Sequence, residues 1–138
     1  MPENNDRELD KLSIFILEDR QLLRKGLSRI LQKISSEIIA PETPAKLETI
    51  LQTVSKQVQL AILDVNLDRD GWEGVGLSAQ FVKSIRTSFP KAKIVLLTSA
   101  SEADLSQAAY NGLPILEKPI TDISAFHNKL LQICSEEA

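Results

Sequence analysis

The feature that most constrains this chain is an apolar stretch at residues 60–67 (LAILDVNL), which carries one carboxylate, Asp64, near its end. The stretch contains Ile62 and Val65 and does not alternate with polar residues, so we predict a strand buried on both faces. An unpaired carboxylate inside such a strand would lose several kcal/mol of hydration. We therefore expect Asp64 at the carboxyl end of a central strand, where open α/β sheets place their sites.

Length and composition favour one ordinary globular domain. The chain has 138 residues, of which 43% are hydrophobic and 25% charged. Its net charge of -3 argues against direct nucleic-acid or anionic-membrane binding, and no apolar run reaches the length of a membrane span. A single cysteine, Cys134, excludes an internal disulfide and fits a reducing compartment. We predict a cytoplasmic domain over residues 11–136, preceded by a mobile polar tail at residues 1–10.

Five short apolar runs alternate with five helical patterns along the chain. This alternation predicts an α/β fold, a single doubly wound (βα)5 domain with a five-stranded parallel sheet. The strands are expected at residues 12–17, 37–40, 58–67, 92–97 and 114–117. The first and third helices are expected at residues 21–34 and 77–88, and the second begins at Pro44. The fourth helix runs from a capping box at Ser99 to Asn111–Gly112, and the fifth begins at Thr121. Residues 68–76 (DRDGWEGVG) are rich in Gly and Asp and predict a loop.

Polar side chains follow the ends of four of these strands. In chain order they are Glu18, Asp19, Asp64, Asn66, Thr98 and Lys118. Carboxyl ends of parallel strands share one edge, and converging carboxylates repel one another unless a cation lies between them. Oxygen ligands favour Mg²⁺, which readily shares its remaining positions with phosphate. The hydroxyl of Thr98 and the ammonium of Lys118 would suit the phosphoryl oxygens that the metal does not bind. The set therefore predicts a carboxylate nucleophile that accepts a phosphoryl group.

With these residues, the chain resembles a response-regulator receiver domain of two-component signalling over residues 11–136. The resemblance implies a flavodoxin-like sheet with strand order 2-1-3-4-5. It also implies a role for each strand-end residue. Glu18, Asp19, Asp64 and the main-chain carbonyl of Asn66 are the implied metal ligands, and Asp64 is also the phospho-acceptor. Thr98 is the implied switch hydroxyl, and Lys118 is the family lysine, followed by Pro119 in a cis peptide bond.

The sequence departs from the family pattern at three places. Asp68 replaces the usual proline four residues after the acceptor, and the loop at residues 68–76 is longer than usual. Ile115 stands where the family often has Tyr or Phe. These departures place the usual coupling between Thr98 and an aromatic side chain in question.

The resemblance implies a phospho-accepting response regulator in a phosphorelay, a stand-alone signalling switch rather than an enzyme, whose only reactions are its own phosphorylation and dephosphorylation. Asp64 would receive the phosphoryl group from a histidine kinase or phosphotransfer protein with the help of Mg²⁺. Because the chain ends at Ala138 without a DNA-binding domain, we expect output through an unidentified protein partner, and a homodimer is possible. By family analogy, the basic side of the first helix, which includes Arg24, is a kinase-docking surface or else only a solvated face.

Three other interpretations remain open from the residues. The first is a pseudo-receiver, a protein-binding module that works without phosphorylation. The second is an aspartyl-phosphate phosphatase of the haloacid-dehalogenase type, which needs a second Asp two residues after the nucleophile, where this chain has Asn66. The third is a calcium loop starting at Asn66, whose twelfth position is Leu77 rather than Glu.

Overall fold

The computed structural model describes residues 11–53, 57–99 and 105–136. Its strands are β1 Leu12–Leu17, β2 Ser35–Ile39, β3 Leu60–Asp64, β4 Asn66–Leu67, β5 Gly76–Leu77, β6 Lys93–Thr98 and β7 Ile115–Glu117. Its α-helices are α1 Gln21–Leu31, α2 Pro44–Thr53, α3 Ala79–Ser88 and α4 Ile123–Ser135. The predicted tail, residues 1–10, lies outside the described residues.

Five of the strands form one parallel sheet in the order β2-β1-β3-β6-β7. This is the predicted order 2-1-3-4-5, because the two-residue strands β4 and β5 pair only with each other. Every residue of β1 and β3 is buried, as expected for central strands covered on both faces. The predicted α/β fold is confirmed, with four α-helices rather than five in the described residues.

The register aligns the carboxyl ends of the central strands. Leu17 of β1 lies beside Leu63 of β3, and Asp64 lies beside Leu97 of β6. Alternate side chains of each strand therefore enter two apolar layers. One layer packs against α2 and α3 through Phe15, Leu63, Leu47, Val82 and Ile85, and the other packs against α1 and α4 through Ile16, Ile62, Leu27, Phe126 and Leu130.

Two helices begin with a side-chain cap, of which the cap by Thr43 was predicted and the cap by Asp122 was not. The Thr43 hydroxyl accepts the Lys46 N–H at 3.1 Å, directly before Pro44 opens α2. Asp122 accepts the Ala125 N–H at 2.9 Å, so α4 begins at Ile123, two residues after the predicted start. No helix in the described part of the chain is long and apolar enough to cross a membrane, and α4 has only 13 residues.

The predicted central strand, residues 58–67, was too long. The parallel strand ends at Asp64, and residues 66–67 instead form an antiparallel pair with residues 76–77. The loop between them is tied to the core by Trp72, which is fully buried and donates its Nε1–H to the Glu42 carbonyl at 3.1 Å. The extra residues of this loop therefore form an anchored structure.

The predicted helix from Ser99 to Asn111–Gly112 is wrong where the chain is described. Residues 100–104 lie outside the described residues, residues 105–107 are not helical, and only a 3₁₀ turn spans Ala108–Tyr110. Tyr110 is buried, and its hydroxyl lies 3.0 Å from the Ser78 hydroxyl beside α3. This tertiary contact overrides the local helical pattern.

Candidate functional site

Three carboxylates converge at the carboxyl edge of the sheet. Glu18 and Asp19 follow β1 directly, and Asp64 is the last residue of β3. All three are buried, and one oxygen of each lies within 4.8 Å of the others. The parallel register causes this convergence, because β1 and β3 lie side by side and end together.

Lys118, which follows β7, brings a positive charge to this cluster. Its Nζ lies 2.9 Å from Asp64 Oδ1 and 3.6 Å from Glu18 Oε1. The Lys118 N–H donates to the Thr98 carbonyl at 2.9 Å, which fixes the chain beside the end of β6. The Lys118–Pro119 peptide bond is cis.

Burial, crowding and hydrogen bonds shift the pKa values of the three acids. Burial, together with the Asp64 charge, raises the pKa of Glu18 from 4.5 to about 8. Burial also raises the pKa of Asp64, from 3.8 to about 6, although the hydrogen bond from Lys118 acts in the opposite direction. For Asp19, burial acts to raise the pKa, but the hydrogen bonds that it accepts, the strongest of them from the Asp68 N–H, together outweigh burial and lower the pKa. Two of the three carboxylates are thus held in an environment that disfavours their charge.

The surroundings of Lys118 favour its charged form, whereas those of Glu18 and Asp64 disfavour theirs. Burial works against the charged ammonium, but its hydrogen bond to Asp64 and the charges of Asp64 and Glu18 raise the pKa of Lys118. The amine therefore stays protonated at neutral pH and remains available to hold negative oxygens.

One oxygen of Asp19 indicates a place for a cation. Asp19 Oδ2 accepts the Asp68 N–H at 2.7 Å, whereas Asp19 Oδ1 is buried and meets no hydrogen-bond donor among the described residues. A buried carboxylate oxygen without a donor costs free energy that a cation would recover. Three carboxylate oxygens at this spacing fit a hard divalent ion such as Mg²⁺.

The remaining predicted site residues lie around this cluster at different distances from it. Asn66 is half-buried and lines a cavity of about 420 Å³ together with Asp64 and Lys118. Thr98 is buried at the end of β6, and its hydroxyl donates to the Ser99 carbonyl at 3.2 Å. Ile115 is 46% exposed on the edge strand β7, away from the carboxylates.

Sequence reasoning missed the part played by Arg24. We placed it on the basic side of the first helix, but it is buried, and its Nη1 donates to the carbonyls of Glu18 at 3.1 Å and Asp19 at 3.4 Å. It therefore holds the turn that carries both acids. Its spacing with Leu27 and Leu31 on the buried face of α1 was the available signal.

Comparison with known proteins agrees with this fold. Similar solved structures include a response regulator receiver protein from Sinorhizobium medicae, 20% identical over 91% of this chain and 96% of that one, with a TM-score of 0.68. The signal receiver domain of a two-component response regulator from Bacteroides fragilis is 20% identical over 91% and 98%, with a TM-score of 0.69. A chemotaxis response regulator of Vibrio cholerae is 20% identical over 89% and 98%, with a TM-score of 0.67.

No curated protein matches the sequence. The model of the response regulator receiver domain, however, matches residues 14–130, which is most of the chain. This match runs from within β1 to within α4 and includes every carboxylate of the cluster as well as Lys118. The chain belongs to the response regulator receiver domain family.

Proposed function

We propose that this receiver domain is a phosphorylatable switch in which Asp64 accepts a phosphoryl group. The observation that carries the proposal is the short contact between Lys118 Nζ and Asp64 Oδ1, 2.9 Å, inside a cluster of three buried acids. Receiver domains act as signalling switches and are generally not classed as enzymes. We therefore treat phosphoryl transfer here as the switching event and not as turnover of a substrate.

Each residue of the cluster has a distinct task in this proposal. The Asp64 carboxylate attacks phosphorus, the P–N bond of a phosphohistidine breaks, and its electron pair returns to the imidazole nitrogen. Lys118 holds a phosphoryl oxygen by an ammonium hydrogen bond. Glu18, Asp19 and the main-chain carbonyl of Asn66 would hold Mg²⁺, which supplies charge neutralisation when it is bound.

Thr98 is the proposed switch hydroxyl. It lies one residue beyond Leu97, the neighbour of Asp64 in the sheet, and its hydroxyl bonds to the Ser99 carbonyl. To reach a phosphoryl oxygen, it must exchange that bond, and this would displace the start of the β6–β7 connection. Ile115 offers no hydroxyl and is already exposed, so any change of the binding face has to pass through other side chains.

The proposed phosphodonor is a histidine kinase or phosphotransfer protein that docks on α1. A groove of about 600 Å³ runs from Glu18 and Lys118 along α1 to Leu22 and Leu23. Leu22 is 83% exposed and Leu23 is 41% exposed, which is unusual for leucines beside a charged site. This groove is continuous with the acceptor site, so a partner helix there could present its histidine to Asp64. Cytoplasmic location and homodimer formation stay predictions.

Incubation with Mg²⁺ and acetyl phosphate tests the acceptor. We expect a labile phosphoryl adduct in the intact-mass spectrum that is absent from Asp64→Asn and retained in Asp70→Asn. Loss of the adduct when Mg²⁺ is chelated would support the metal ligands. If the folded wild-type protein forms no adduct, the phosphorylation-independent binding module is favoured instead.

The docking surface needs a separate test because small donors bypass it. Leu22→Asp should slow phosphotransfer from a cognate histidine kinase while leaving the rate with acetyl phosphate unchanged. Equal slowing with both donors would place the effect of Leu22 on the fold of α1 and not on docking.

A further inference from the structure

The loop after the acceptor strand carries three acids whose side chains accept hydrogen bonds from main-chain N–H groups and so cap the main chain. Asp68 Oδ1 accepts the Gly74 N–H at 2.7 Å, and Asp70 Oδ2 accepts the Gln21 N–H at 2.9 Å at the start of α1. Glu73 Oε1 accepts the Gly71 N–H at 3.0 Å. Their carboxylates therefore hold the loop and, in the part of the chain that the structure describes, pair with no arginine.

Two guanidinium groups beside these acids have no such engagement. Arg20 and Arg69 both line the 420 Å³ cavity that contains Asp64 and Lys118. Over residues 11–53, 57–99 and 105–136, neither guanidinium forms a salt bridge or a hydrogen bond. Arg20 is half-buried. Its charge acts to lower the pKa of Lys118, so the two cations lie close enough to repel each other.

The charge balance of the site explains why unpaired cations at this cavity are useful. The three carboxylates of the cluster are offset by Lys118 and one divalent ion, which leaves the filled site close to neutral. An incoming phosphoryl group brings about two negative charges. The three capping acids of the loop add repulsion at the same edge. Arg20 and Arg69 are the cations lining that cavity, besides Lys118, that can offset this charge.

We propose that Arg20 and Arg69 form a guanidinium pair that binds the oxygens of the incoming phosphoryl donor at the mouth of the acceptor cavity. The fork of N–H groups on arginine matches two phosphoryl oxygens at once, which a lysine ammonium cannot do. The substrate class is a dianionic phosphoryl donor, such as an acyl phosphate. This inference rests on the proposed function for the choice of donor, but the binding of a free anion depends only on the cavity and its charges.

The kinetic test compares Arg20→Gln, Arg69→Gln and the double variant with wild type. At saturating Mg²⁺, the concentration of acetyl phosphate that gives half the maximal phosphorylation rate should rise about fivefold in each single variant, and on the order of 20-fold in the double variant. The maximal rate should change less than twofold. Phosphoramidate, which carries less negative charge, should show a smaller loss.

Two controls separate anion binding from a general effect on charge or folding. Arg86→Gln removes an exposed arginine that lines a different cavity, near the start of β6, and should leave all constants unchanged. Arg69→Lys should recover part of the loss, since it restores charge without the fork. The proposal is overturned if Arg20→Gln and Arg69→Gln behave like Arg86→Gln, or if they lower only the maximal rate.

Binding of inorganic phosphate in the presence of Mg²⁺, followed by amide chemical shifts around Asp64, distinguishes the two proposals. If wild type binds phosphate and the double variant does not, the guanidinium pair is supported even where no phosphoryl adduct forms. If wild type forms the adduct but phosphate binding is equal in the double variant, phosphorylation stands and the guanidinium pair fails.

Discussion

Two groups of acids lie at the same edge of the sheet, and their surroundings give them opposite tasks. Glu18, Asp19 and Asp64 are buried, one oxygen of each lies within 4.8 Å of the others, and Asp19 Oδ1 meets no donor among the described residues. The loop acids Asp68, Asp70 and Glu73 are exposed, and each accepts a main-chain N–H. Residue type is the same in both groups, so burial and crowding, which only the first group has, decide which acids need a cation.

The largest expected difference between the groups is in Mg²⁺ affinity. Asp19→Asn should weaken Mg²⁺ binding at least about 100-fold, since losing even an outer-shell partner costs about 10- to 100-fold. Asp70→Asn, which keeps an oxygen for the Gln21 N–H and tolerates the φ of 49° at this position, should change the affinity less than twofold. Calorimetric titration with Mg²⁺ measures both. Similar losses in the two variants would mean that the ion is held by the loop and not by the buried cluster.

The second difference concerns the stability of the metal-free protein. Glu18→Gln should raise the free energy of unfolding by about 2 kcal/mol at pH 8, because it removes a charge that burial and the neighbouring Asp64 carboxylate make unfavourable. Glu73→Gln should stay within about 0.5 kcal/mol of wild type. Urea denaturation with a chelator present tests this pair. A destabilised Glu18→Gln would show that its contact with Lys118 outweighs the burial of its charge.

A third difference should appear in the pH dependence of stabilisation by Mg²⁺. The pKa of Glu18 is raised to about 8 and that of Asp64 to about 6, so the metal-free folded state binds protons more tightly than the unfolded chain. This contribution to stability is complete below the ordinary pKa values and is lost as pH rises toward 8. Bound Mg²⁺ replaces those protons, so the rise in Tm with Mg²⁺ should grow from pH 5 to pH 8. Thermal unfolding with and without Mg²⁺ measures it, and a rise that shrinks with pH would contradict the shifts.

The smallest expected effect belongs to the loop caps. Asp68→Ala removes the acceptor for the Gly74 N–H and should cost about 1 kcal/mol, whereas Asp68→Asn keeps an acceptor and should cost less than about 0.5 kcal/mol. Chemical denaturation of the metal-bound protein measures the difference. Equal losses would show that the charge of Asp68 matters more than its hydrogen bond.

The placement of the buried acids followed from the order of elements along the chain. Continuous apolar runs such as residues 12–17 can be stable only inside a sheet covered on both faces. Once the sheet is parallel, every strand ends at the same edge, so Glu18, Asp19, Asp64 and Lys118 had to meet. Their distances and the donor-free oxygen of Asp19 could not be predicted, because they depend on how neighbouring strands terminate.

The two connections beside the site show where local patterns fail. Residues 68–76 have the composition of a solvated loop, yet Trp72 is fully buried and bonded to Glu42. Residues 105–111 were predicted as part of a helix, yet only a 3₁₀ turn forms, with Tyr110 directed to Ser78. In both connections, one buried aromatic side chain finds a polar partner far away in sequence, and that contact outweighs local propensity.

The amino-acid sequence by itself determined the α/β alternation, the parallel sheet and the residues that collect at its carboxyl edge, because periodicity and strand ends are local properties. Only the tertiary structure decided which charges at that edge are satisfied. The loop acids accept main-chain N–H groups, Arg24 lies inward and holds the acidic turn, and one buried oxygen of Asp19 meets no donor within the described ranges. Pairing of this kind depends on distances between segments far apart in the chain, which no local pattern encodes.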